Sequence, residues 1–243
     1  MENYVKVIYK RILLKISGQA LQGDQNFGID KNIIKRLVND IKELIAEKVQ
    51  VAIVIGGGNI FRGNQLAKEG MDRVVGDYMG MLATVINGMA LLEGFQRISV
   101  DSCLMSALPL HGVCQYYRRE KALDLLNKNY VVILSAGTGN ALFTTDTAAC
   151  LRGVEMRAEV ILKATQVEGV FSSDPLFNHN AILYKKISYQ DVIHQQLKIM
   201  DCTAFTLAKD NNLSIRVFNI NKIGALQRII EGKEEGTLIS PSA

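Results

Sequence analysis

Residues 51–63, VAIVIGGGNIFRG, decide the fold. Five apolar residues, Val51 to Ile55, run straight into Gly56, Gly57, Gly58 and Asn59, with Arg62 close behind. Residues 130–149, YVVILSAGTGNALFTTDTAA, repeat the layout. There an apolar run ending at Leu134 leads into Gly137, Thr138, Gly139 and Asn140, then Thr144, Thr145 and Asp146. An unbroken apolar run of strand length is buried on both faces, which requires helices on both sides of a sheet. Glycines directly after such a strand, followed by helical sequence, aim backbone N–H groups and a helix N-terminus at an anion. Two such cradles predict two phosphorylated ligands, or two ends of one.

Working outward, strand and helix patterns alternate along the whole chain. Residues 10–16 read as a buried strand ended by Ser17 and Gly18. Residues 32–48 space Ile33, Ile34, Leu37, Val38, Ile41, Leu44 and Ile45 as one helical face, with Asp30 as N-cap. Further helices are predicted over 77–95, 120–127, 145–152, 203–211 and 225–231. Further strands are predicted over 98–102, 130–134, 160–163, 215–219 and 237–239. Residues 166–180 form a polar loop with room for a hairpin. Such alternation predicts an α/β fold with a mostly parallel sheet between helical layers. With three prolines and no low-complexity linker, residues 1–243 read as one domain with two lobes. Ligands are expected beyond the C-terminal ends of the strands, where both glycine loops fall.

Composition closes off several function classes. The net charge of +4, from 28 basic and 24 acidic residues, is too small and dispersed for a nucleic-acid surface. No run of about 18 apolar residues predicts a membrane span, and Lys10, Arg11 and Lys15 interrupt the only stretch that resembles a leader. Cys103, Cys114, Cys150 and Cys202 are scattered, as are His111, His179 and His194, so neither a zinc site nor a disulfide framework is expected. Free, buried or half-buried thiols suit a reducing cytoplasm. The chain lacks GxxxxGK[ST], and neither glycine cluster completes GxGxxG: Phe61 and Leu142 occupy the last position.

The remaining strand-end residues have two readings each. Lys15, which finishes an apolar strand, either snorkels to solvent or meets an anion; with Gly18 close behind it, phosphate contact is favoured. Three glycines in a row are more than a tight turn requires, and they let a ligand approach the backbone; Arg62 follows as a guanidinium able to fork onto a phosphate. Thr144 and Thr145 either cap a helix or donate hydroxyls to a phosphate. Asp146 would repel a phosphate unless it holds Lys15 or a metal-bound water. Phe171 either stacks on a base or fills a small core under its loop, and Asp174-Pro175 reads as a turn.

The segments KISG, VIGGGNIFRG, GDYMGMLATVINGMAL, SAGTGNALFTTDTAACLRG, LKATQVEGVFSSDP, MDCTAFTLAKD and IRVFN occur in an order and spacing that resemble the bacterial uridylate kinases of the amino acid kinase family. The resemblance runs from about Tyr9 to Ile239. It implies a three-layer αβα sandwich, with an N-terminal acceptor lobe and a C-terminal ATP lobe. It also implies transfer of the ATP γ-phosphoryl group to UMP, with Mg²⁺, in pyrimidine nucleotide synthesis in the cytoplasm. By motif match, Lys15, Ile16, Ser17, Gly18, Gly58, Arg62, Thr165, Phe171 and Asp174 meet ATP. Gly57, Asp77, Thr138, Gly139, Asn140, Ala141, Leu142, Phe143, Thr144 and Thr145 meet UMP. Lys15, Arg62, Asp146 and Asp201 are the catalytic candidates, with Asp201 supporting the lysine and metal, and no dedicated protein cage for the metal is expected. The resemblance further implies a homohexamer, activation by GTP and inhibition by UTP. The loop of Gly23, Asp24, Gln25, Asn26, Phe27 and Gly28 resembles the segment tied to the GTP response. Gln19 stands where Glu is frequent, and Phe171 where Tyr is often found.

Such chemistry explains the absence of an obvious general base. A phosphate acceptor has a second pKa of about 6 and arrives mostly deprotonated. The difficulty is bringing two polyanions together: at about 4 Å each like-charge pair repels by roughly 1 kcal/mol in water and about 4 kcal/mol in a partly dry site. Lys15, Arg62, Mg²⁺ and the loop amides offset that repulsion, so catalysis is positioning plus charge stabilisation. Two rivals stay open: a sibling kinase acting on a carboxylate, such as an acetylglutamate kinase, and a nucleotide-binding sensor without turnover.

Overall fold

The computed structural model describes residues 7–61, 70–175, 177–178, 180–197 and 199–241. Its nine strands form one sheet. In chain order they are β1 (Arg11–Ile16), β2 (Gln50–Ile55), β3 (Ser102–Ser106), β4 (Gln115–Tyr116), β5 (Val131–Ser135), β6 (Val160–Thr165), β7 (Lys186–Ser188), β8 (Ser214–Asn219) and β9 (Thr237–Ser240). Their order across the sheet is β4-β3-β5-β2-β1-β6-β8-β9-β7, and every neighbouring pair is parallel except β8 with β9. The helices are α1 (Lys31–Ala46), α2 (Arg73–Arg97), α3 (Arg119–Asn127), α4 (Thr145–Glu155), α5 (Tyr189–His194), α6 (Cys202–Asp210) and α7 (Ala225–Ile230).

Period-two alternation sorts the central strands between two cores. Ile12, Leu14 and Ile16 face a core shared with α1, α2 and α7. Leu13 faces the opposite core, built with α3, α4, α5 and α6. This is the mainly parallel, three-layer arrangement expected from the sequence. The side chain of Asp30 accepts from Asn32 N at 2.7 Å and caps α1, as its spacing predicts. Two short stretches pair farther along the chain: Phe171 bridges Leu183, and Tyr184 N donates to Val170 O at 2.8 Å.

Two expectations need correction. Residues 98–102 are not a strand, because α2 continues to Arg97 and closes through Ile98 and a left-handed Ser99; β3 starts only at Ser102. α2 also begins four residues earlier than predicted, where Asp72 accepts from Val75 N. Its mean hydropathy of 1.3 over 18 residues makes it long and apolar enough to cross a membrane by composition alone. Instead it packs on β3 and β5 with a mixed pattern: Thr84 and Asn87 are buried beside Val85, Leu91 and Phe95, while Val75, Leu82, Ile86 and Met89 are exposed.

Candidate active site

Because the strands around β1 are parallel, the segments that follow β1, β2, β5 and β6 leave the same edge of the sheet. The order of connections reverses at β1, which lies between β2 and β6. This is the switch point where α/β sheets bind ligands.

Lys15 and Lys163 are register partners on β1 and β6, and both point to the face that carries α4. Their ammoniums converge on one carboxylate. Lys15 Nζ lies 2.7 Å from Asp146 Oδ1, and Lys163 Nζ lies 2.6 Å from Asp146 Oδ2. Lys163 also donates to the carbonyl of Ile199. Both lysines are buried. Burial pushes the Asp146 carboxyl up, but the two ammoniums outweigh it and hold it below the usual carboxylate range. Burial pushes the Lys163 ammonium down; Lys15 adds to the lowering, and Asp146 opposes it. Two cations on one anion leave a buried excess of one positive charge, a standing attraction for an anionic ligand. Lys163 was not among the predicted site residues. Its sequence signal is the same as that of Lys15, a lysine near the end of an otherwise apolar strand.

Asp146 sits in the first turn of α4, whose N-cap is Thr144. The Thr144 hydroxyl accepts from the N–H groups of Asp146 and Thr147 and donates to Asp201. Among the described residues no ion pair joins Asp201 to a lysine. Asp201 caps α6 by accepting from Ala204 N at 2.9 Å, and its carboxylate also accepts from the Thr147 hydroxyl at 2.8 Å. Its oxygens are directed at α4 and α6, so it fixes the start of both helices. Cys150, beneath them, is buried, and that burial pushes its thiol up to about 12, which leaves it inert. Cys202 is exposed, unlike the other three cysteines, because it opens the outer side of α6.

The two glycine loops flank this charge cluster. In the first, a Cβ on Gly57 would stand 2.7 Å from the backbone carbonyl of Gly80 and 2.9 Å from Ala83 Cβ, so packing against α2 demands glycine. A Cβ on Gly58 would meet nothing nearer than Gln19 Cγ at 4.0 Å. Packing therefore makes no demand at Gly58, whereas close approach by a ligand would. Gly18 packs directly on this loop, with a Cβ there falling 2.6 Å from Gly58 N. In the second loop, Ala136, Gly137, Gly139 and Leu142 all have positive φ. Such runs turn successive N–H groups toward one point. Leu142 N donates to Asp77 Oδ2 at 2.8 Å, and Arg73 holds the same carboxylate, so Asp77 ties α2 to this loop. Thr138 and Asn140 bond to each other at the loop tip, Ala141 lies between them and Leu142, and Phe143 is exposed just before Thr144 and Thr145.

On the other side of Lys163 lies a cavity of about 600 Å³. Thr165, Phe171 and Asp174 line it together with Lys163. The Thr165 hydroxyl lies 2.8 Å from Val167 O and 3.1 Å from Phe218 O and donates its one proton between them. Ile16 is buried beneath Ser17, at the end of β1. The loop from Gly23 to Gly28, which includes Asp24, Gln25, Asn26 and an exposed Phe27, lies behind the first glycine loop. Gly28 N donates to Asn59 O at 3.0 Å there. Arg62 lies outside the described residues.

Residues 10–219 match the family model described as the amino acid kinase family. The chain belongs to the amino acid kinase family. Among members of that family, it is 58% identical over 240 residues to a protein named uridylate kinase from Blochmanniella pennsylvanica, covering 99% of this chain and 100% of that one. The uridylate kinase of Pectobacterium atrosepticum matches at the same identity and coverage. A crystal structure of UMP kinase from Bacillus anthracis superposes with a TM-score of 0.94 at 38% identity, covering 97% of each chain.

Proposed function

We propose that this chain is a nucleoside monophosphate kinase that transfers the γ-phosphoryl group of ATP to UMP, giving UDP and ADP. One observation carries the assignment: the buried Lys15–Asp146–Lys163 cluster, one positive charge in excess, at the point where both glycine loops meet. Further support comes from relatives at 58% identity along the full chain, which are named uridylate kinases.

In this scheme ATP lies over Gly18 and Gly58, with its base in the cavity of Thr165, Phe171 and Asp174. UMP lies against Gly57, Asp77 and the loop Thr138–Thr145. The acceptor phosphate needs no general base. Lys15 and Lys163 spread positive charge along the transferring group, and Asp146 keeps the two ammoniums together and aligned. Arg62 adds a guanidinium. Mg²⁺ carried in on ATP would supply further positive charge to the phosphate oxygens. Among the described residues no cluster of three or more metal-ligating side chains occurs. Asp146 and Asp201 would hold the water shell of a phosphate-borne ion, in keeping with magnesium's preference for phosphates and one or two carboxylates.

We extend the assignment to a homohexamer in the cytoplasm that is activated by GTP and inhibited by UTP. The exposed apolar stripe of α2 supports assembly. The bonds from Gly28 to the first glycine loop support a response from residues 23–28. A coupled ADP-release assay tests the whole assignment, using ATP and Mg²⁺ with UMP, CMP or acetylglutamate, and repeated with GTP and UTP. Turnover with UMP is expected. Turnover with acetylglutamate instead, or UMP binding without ADP release, would overturn it.

A further inference from the structure

The longest helix buries two polar side chains, and they reach different glycine loops. Thr84 and Asn87, three residues apart on α2, share a face and are both buried. Thr84 Oγ1 accepts from Ala136 N at 2.7 Å and donates to Met81 O at 2.6 Å. Asn87 Nδ2 donates to Gly56 O and to Asn59 Oδ1, each at 2.7 Å. Asn59 Nδ2 returns a bond to Asn87 Oδ1 at 2.9 Å, which closes a two-bond amide ring, and bonds Gly28 O at 2.8 Å as well.

A buried amide or hydroxyl is costly unless paired, and an aliphatic side chain would fill either position without that cost. The same helix buries these two polar side chains beside Val85 and Leu91 while it leaves Leu82, Ile86 and Met89 exposed. What Thr84 and Asn87 provide, and aliphatic residues would not, is a grip on two main-chain atoms, Gly56 O and Ala136 N. Those residues directly follow β2 and β5, which are neighbours in the sheet.

We propose that Thr84 and Asn87 are positioning residues, and that α2 acts as a rigid spacer that sets the separation of the two loops. The proposal rests on reading both loops as nucleotide-binding. A misplacement of about 1 Å between reacting groups can cost about a hundredfold in rate, so a spacer of this kind controls turnover without touching substrate.

The test uses Thr84→Val, Thr84→Ser, Asn87→Ala, Asn59→Ala and the Asn59→Ala/Asn87→Ala pair. Steady-state kinetics in ATP and UMP would be measured beside melting curves. Thr84→Val is expected to lower kcat about tenfold, the order of a lost hydrogen bond plus loop displacement, with Thr84→Ser restoring it. Asn87→Ala is expected to lose about ten- to a hundredfold, and the pair no more than the worse single change, because one ring is broken either way. Folded variants that melt lower but keep kcat within about twofold of the parent would overturn the proposal and leave a purely structural role. If Asn87→Ala does not fold, the two Thr84 variants decide alone. Gly58→Ala on the parent separates the two failures. Unchanged ATP binding there would sink the nucleotide reading of the loop and the proposal with it. Weakened ATP binding beside unchanged Thr84→Val kinetics would sink the spacer alone.

Discussion

The two glycine loops present main-chain amides at the same sheet edge but are built from different materials. The first is held by packing and by neutral amides: Gly57 is wedged on α2, and Asn59 is locked to Asn87 and Gly28. The second is held by a run of left-handed residues, a hydroxyl from Thr84 and a carboxylate from Asp77. It then continues into α4, whose Asp146 gathers the two lysines. The first loop is thus fixed independently of charge, whereas the second is continuous with the electrostatic centre. Perturbing the first should act through shape, and perturbing the second through charge and pH.

The largest effect is expected at the charge centre. Lys15→Ala should cut kcat by roughly a hundredfold or more, the scale of losing one charge donor, while the protein stays folded by circular dichroism. Near-normal turnover would remove Lys15 from the chemistry. Next comes the alkaline limb. Burial lowers Lys163, so its site charge is lost below the ordinary lysine value of 10.5, and kcat should fall there. In the same window the unfolded chain binds more protons than the folded one, so this lysine's contribution to stability rises with pH. Activity and stability should therefore diverge as pH rises, and Lys163→Arg should shift the activity limb upward, because a guanidinium does not titrate there. An unshifted limb would assign the titration to another group.

Two smaller effects separate shape from charge within the loops. Gly57→Ala forces a Cβ against the Gly80 carbonyl, and should cost about 1–3 kcal/mol of stability by overpacking, read as a lower denaturation midpoint. Gly58→Ala has room, so its midpoint should hold while ATP affinity falls. Equal midpoints for the two variants would contradict the packing distinction. Last, Asp77→Asn should raise KM for UMP several-fold, on the order of 1 kcal/mol, with little change in KM for ATP. An unchanged KM for UMP would release Asp77 from the acceptor side.

The strands were legible because β1, β2, β5 and β6 are buried on both faces, and their apolar runs admit no other partner than a sheet. Asp30 and Thr144 were legible as caps because a short oxygen-bearing side chain before an oily helical face has few other uses. The same logic failed on α2. Its buried face mixes Thr84 and Asn87 with Val85, Leu91 and Phe95, and its exposed face carries Leu82, Ile86 and Met89 beside Glu93 and Arg97, so its pattern carries little directional signal. β4 and β7, two and three residues long, are edge strands fixed by their neighbours rather than by local composition. Lys163 was visible only as part of a motif. Recognising it as a second ammonium required the register of β1 with β6, which no local window contains. Asp201 is expected from its motif to support the lysine and metal; that it also caps α6 and holds Thr144 and Thr147 required the packing of α6 on α4, which no local window contains.

The pairing of β1 with β6 joins residues about 150 positions apart, Ile12 with Val160 and Lys15 with Lys163. β1 therefore waits for one of its two neighbours while about 150 further residues are made. At about 5–20 residues per second, that interval is roughly 7–30 s. Throughout it, one edge of an oily central strand stands open, and Lys163, the second ammonium on Asp146, is missing. The Lys15–Asp146–Lys163 cluster thus cannot close until β6 has been made, and a ribosome stalled before β6 would display a sticky half-sheet suited to capture by a chaperone.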